Sequence, residues 1–104
     1  MAKFLYVYHG GSVPTDDAEK VRVMNAWGTW MGGLGAALID GGNPVGQSFT
    51  VQSNGGVVDN GGANPASGYS LVEASDIDDA IAKAKGCPIL AAGGTVEVAQ
   101  AFDM

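Results

Sequence analysis

The chain has 104 residues, which sets one domain over residues 1–104 as the expectation. With 46% hydrophobic and 15% charged residues, disorder by composition is excluded. Five basic against eleven acidic residues leave a net charge of −6, so neither a nucleic-acid backbone nor an anionic membrane surface is expected as a partner.

A single cysteine, Cys87, excludes an intramolecular disulfide and a cysteine-rich zinc site. No apolar run approaches the roughly 20 residues that span a bilayer. Met1–Tyr8 lacks the apolar region of a secretory signal before Gly10-Gly11. The expectation is a soluble cytoplasmic protein with a reduced thiol.

Lys3 to His9 is aromatic and β-branched and stops at two glycines, so it reads as a strand. Thr15 is the expected N-cap of the helix that follows, with Asp16, Asp17 and Glu19 matching the helix dipole. Val21, Met24, Trp27, Met31, Leu34 and Leu38 recur at spacings of three and four, which predicts its apolar stripe, with Val23 and Trp30 flanking it. Gly28, Gly32, Gly33 and Gly35 lower helix propensity, allow a neighbouring backbone to come close, and are expected to end the helix. A second strand is expected around Ala36 to Asp40.

Residues 41–68 are glycine-rich. Within them Gln47–Gln52 and Gly56–Val58 flank Ser53-Asn54-Gly55, which predicts a small hairpin at the Asn-Gly pair. Gly68–Ala74 is the third main strand. Ser75 with Asp78 three residues on reads as a capping box. The helix it opens is expected to bury Ile77, Ala80, Ile81 and Ala84, with Lys83 and Lys85 near its end and a stop at Gly86-Cys87-Pro88. Thr95 to Phe102 closes the chain as a strand.

The order β-α-β, hairpin, β-α-β predicts an α+β fold: a ferredoxin-like split β-α-β sheet with an inserted hairpin and two helices on one face. The strands are apolar on both faces: Phe4, Tyr6 and Tyr8 alternate with Leu5 and Val7, and Leu71 with Val72 and Ala74. An apolar uncovered face needs another layer, and a second copy of the chain is expected to supply it.

The runs Gly68-Tyr69-Ser70-Leu71-Val72-Glu73-Ala74-Ser75-Asp76-Ile77-Asp78-Asp79-Ala80, Gly86-Cys87-Pro88 and Ala92-Gly93-Gly94-Thr95-Val96-Glu97-Val98 resemble the C-terminal half of YCII-related proteins of the DGPF branch. Ala26–Met31 and Leu34–Gly42 resemble their first half. The resemblance implies a homodimer that forms a dimeric α/β barrel. Where the branch carries Asp-Gly-Pro-Phe, this chain reads Asp59-Asn60-Gly61-Gly62-Ala63-Asn64-Pro65. The helix position of the histidine suspected of acid–base work in the original YCII group holds Trp27, and Cys87 stands where that group often has an acid. No catalytic role carries over residue by residue.

His9 is the only histidine and ends the first strand, a position suited to acid–base chemistry or to a plain capping role. Asp40 and Asp59 lie in glycine-rich surroundings and are the acids expected to pair with it, giving His9, Asp40 and Asp59 as catalytic candidates. Asp16, Asp17, Asp76, Asp78 and Asp79 are accounted for as helix-start charges. Glu73 and Glu97 lie on strands and are either inward-pointing acids of a barrel or, the favoured reading, solvent-facing strand residues. Tyr8, Trp27 and Trp30 are candidates for the walls of an apolar ligand pocket, with core packing as the alternative for the two indoles. Cys87 lacks an activating neighbour and reads as structural. No cofactor or metal is expected. Two functions fit: acid–base chemistry at His9 on a small apolar or aromatic metabolite, or a non-catalytic dimeric module that binds a small molecule or regulates a partner.

Overall fold

Large residues at every second position of the first strand decide which side of the sheet becomes the core. In the computed structural model, which describes residues 1–104, strand β1 spans Ala2–His9 and turns Phe4, Tyr6 and Tyr8 to one buried side. Helix α1 covers Asp17–Leu34, β2 Leu38–Asp40, β3 Thr50–Val51, β4 Val57–Val58, β5 Ala66–Ala74, α2 Ile77–Ala84 and β6 Thr95–Ala101.

The main sheet is open, with order β2-β5-β1-β6 and every neighbouring pair antiparallel. Two β-α-β units therefore interleave. Strands β1 and β2 run parallel with β5 between them, and β5 and β6 run parallel with β1 between them. Register places Phe4 opposite Val72, Tyr6 opposite Ser70 and Val98, and Tyr8 opposite Gly68 and Val96 on the core side. Both helices pack on that side: the Tyr6 hydroxyl donates to the Ala80 carbonyl of α2 at 2.5 Å, and the Tyr6 ring stacks on Trp30 of α1 at 6.2 Å.

The opposite side carries Leu5, Val7, Tyr69 and Leu71 in paired register, half-buried by strand neighbours alone. Accessible surface is 6643 Å², against about 5,400 Å² for a folded chain of this mass. The molecule is a slab of 43 × 41 × 18 Å.

Several local expectations are corrected. Asp16, not Thr15, caps α1, its carboxylate accepting from the Glu19 amide at 2.7 Å. The inward positions of α1 are Val23, Trp27, Trp30, Met31 and Leu34, while Val21 and Met24 are exposed. No residue of α1 is fully buried, because the two indoles prop the helix on the sheet. Gly28, Gly32 and Gly33 remain inside the helix with no close neighbour, so they serve no close approach. The second strand begins only at Leu38, after a single 3₁₀ turn over Gly35–Ala37.

At α2 the cap is Asp76, which accepts from the Asp79 amide at 2.8 Å. Asp79 reaches back to the Ser75 amide at 2.9 Å, so the capping box lies one residue later than Ser75 and Asp78. The Lys83 ammonium donates to Asp79 at 2.7 Å and holds its carboxyl below the ordinary carboxylate range. Only Ala80 and Ala84 of the helix are buried, and Ile77 and Ile81 are exposed. The hairpin turns at Asn54-Gly55 as expected, with Gly55 at φ +87°, but each of its strands has only two residues.

Candidate functional site

Because the indoles hold α1 off the sheet, a cleft of about 550 Å³ opens beneath the middle of the helix. Tyr8 and Gly68 lie at its base, Val23, Trp27 and Met31 line the helix side, and residues 41–44 form the outer rim. That volume falls within the range of small-molecule sites. The Tyr8 ring meets Trp27 edge-on at 5.1 Å and 80°.

Two glycines build this rim. A side chain on Gly68 would press on the Asn43 carbonyl and the Tyr8 ring at 3.2 and 3.3 Å, so glycine eases the close passage of the Asn43–Pro44 segment over the strand. Gly42 turns the chain at φ +69°, where a Cβ would collide with the Tyr69 carbonyl. The rim is tied down from below. The Tyr8 hydroxyl donates to Ser70 Oγ at 2.7 Å, and Ser70 donates to the Gly41 carbonyl at 2.7 Å. Burial pushes the Tyr8 phenol up to about 12, so it stays protonated.

His9 is not in this cleft. Successive strand residues point to opposite faces, so Tyr8 faces the helices and His9 the open side of the sheet. There the buried imidazole places Nε2 2.9 Å from Glu97 Oε1 and Nδ1 3.2 Å from the Pro65 carbonyl oxygen. The Glu97 carboxylate, above all, raises the His9 pKa above its ordinary value. A β-bulge on β5 assists this geometry: Tyr8 pairs with Gly68 and His9 with Ala66, leaving Ser67 as the extra residue.

The remaining candidates separate from His9 and from one another. The Asp40 carboxylate accepts from the Gly42 amide at 2.8 Å and stabilises the rim turn. Asp59 accepts from the Gln47 side chain at 2.6 Å at the base of the hairpin. Neither is bonded to His9, whose acid is Glu97, a residue that is solvent-exposed as expected yet reaches the imidazole from β6. Of the pocket candidates, Tyr8 and Trp27 line the cleft. Trp30 does not: its indole N–H donates to the Lys83 carbonyl at 3.1 Å and joins the two helices. Cys87 is buried and free, and burial pushes its thiol up to about 11, consistent with a structural role.

Neither Ser67 nor the rim at 41–44 carries a local signal in the sequence that marks it as part of a cleft. Nothing in composition marks a bulge, although the register of β1 against β6 would have placed Glu97 one step from His9. No three His, Cys, Asp or Glu side chains converge to hold a metal ion. No helix is long and apolar enough to cross a membrane. Compared with protein-family models and with curated proteins, the chain matches none.

Proposed function

We propose that this chain is a YCII-related, DGPF-like protein in which a ferredoxin-like split β-α-β sheet pairs with a second copy as a dimeric α/β barrel. We infer that it works as a non-catalytic module that binds a small apolar or aromatic molecule in the cleft beneath α1. The observation that carries the binding role is the cleft itself: about 550 Å³, walled by aromatic, Met and Val side chains, on a rim fixed by Gly42 and Gly68. The strand order and the shared helix face support the ferredoxin-like assignment. The apolar Leu5, Val7 and Leu71 on the open face, with the excess of accessible surface, support the dimer. The reduced, buried Cys87 suits the cytoplasm.

The proton-transfer groups support the non-catalytic reading. Tyr8 is bonded and protonated, and both nitrogens of His9 are engaged on the far side of the sheet. The second reading, proton transfer by His9, rests on the Glu97 contact and requires a substrate on the open face.

The neutral fluorescent probe N-phenylnaphthylamine tests the choice. The expected result is saturable binding, one probe per chain, weakened by Met31→Glu and retained by His9→Gln, with circular dichroism showing both variants folded. Binding indifferent to Met31→Glu, or lost in His9→Gln, would overturn the reading.

A further inference from the structure

The cleft beneath α1 does not end at the Trp27 wall. A second depression of about 490 Å³ lies beyond it, and Val23, Trp27, Ser67 and Ile89 line both. The two are lobes of one trough with different chemistry. The inner lobe has a lining of ring and Met surface with few polar atoms. The outer lobe is bounded by the Gly10-Gly11-Ser12 turn and by Glu19 and Arg22, the latter the only arginine in the chain.

Arg22 is 72% exposed, and its guanidinium pairs with Glu19 on the preceding turn of α1. That contact holds the group at the lobe without exhausting its five N–H donors.

Resting on the ligand-binding reading above, we propose that the physiological ligand is an amphipathic carboxylate. Its aryl or alkyl body occupies the inner lobe, and its carboxylate lies in the outer lobe against Arg22. An arginine fork matches a carboxylate in shape as well as charge, and the contact is charge-assisted. Since the chain carries a net charge of −6, long-range attraction contributes nothing to anion binding. Selectivity for the acid depends on the Arg22 contact.

Calorimetric titration with phenylbutyrate and with the neutral phenylbutyramide tests this on the intact protein. The expected result is that both bind and the carboxylate binds about tenfold more tightly, the size of one charge-assisted contact. In Arg22→Gln the two affinities converge through loss of carboxylate affinity alone. Equal affinities in the native protein, or a preference that survives Arg22→Gln, would overturn the carboxylate assignment and leave the apolar cleft standing. Failure of both compounds to bind would overturn the cleft reading and this inference with it.

Discussion

The imidazole of His9 lies between two oxygen atoms that can only accept: Glu97 Oε1 at 2.9 Å from Nε2 and the Pro65 carbonyl oxygen at 3.2 Å from Nδ1. Both ring nitrogens satisfy this pair only by donating, which is the imidazolium form. The geometry makes His9 a clamp joining β1, β6 and the loop before β5, one that binds its proton more tightly than a free imidazole.

A pH dependence of stability follows. The folded pKa of His9 lies above its unfolded value, so the folded state binds the proton more tightly. The stabilisation is complete below about pH 6.5, the ordinary histidine value, and is lost as pH rises through the folded pKa. Urea midpoints measured from about pH 5.5 upward should therefore fall towards neutral and alkaline pH, and Glu97→Gln should flatten the profile. An NMR titration placing native His9 at or below its ordinary value would contradict the clamp.

The start of α2 gives a contrast between neighbours. Asp76 accepts the Asp79 amide as cap, whereas the Asp78 side chain makes no hydrogen bond. Asp76→Ala should cost about 1 kcal/mol, and Asp78→Ala should stay within about 0.5 kcal/mol of the parent. Chemical denaturation of the three proteins checks both. A larger loss for Asp78→Ala would return the cap to the frame expected from Ser75.

Much of this architecture is legible in the sequence because periodicity reports burial directly. The alternation at Phe4, Tyr6 and Tyr8 marks the core side, and Gly86-Cys87-Pro88 ends α2. Cap frames are less legible, since Thr15 and Asp16, or Asp78 and Asp79, offer the same chemistry one residue apart. The grouping of the site misled for a different reason. Tyr8 and His9 are adjacent in sequence, yet strand geometry sends one to the cleft and the other to the open face. The partner of His9 was unreadable because a pairing between residues 9 and 97 depends on strand register, which no local pattern encodes.

Two glycines should respond oppositely to alanine. At Gly42 the positive φ and the collision with the Tyr69 carbonyl should make Gly42→Ala costly, by about 2 kcal/mol or more. Gly28 sits inside α1 with nothing near it, so Gly28→Ala should stabilise by about 0.5–1 kcal/mol. Thermal midpoints resolve both signs. Destabilisation by Gly28→Ala would mean that another surface rests on that part of the helix.

The open face predicts self-association. Sedimentation at micromolar concentration should give twice the chain mass of 10.5 kDa. Leu71→Lys, which sets a charge in the middle of that face, should give a folded monomer. A native protein that sediments as one chain would remove the dimer from the account.

The cleft beneath α1, and not His9, is the proposed binding site, and amide and methyl NMR spectra recorded with phenylbutyrate test that directly. The largest shifts should fall on the Trp27 indole, the Met31 methyl and the amides of Gly42 and Gly68, with the His9 ring resonances unmoved. Shifts centred on His9 and Glu97, with Trp27 and Met31 silent, would contradict it.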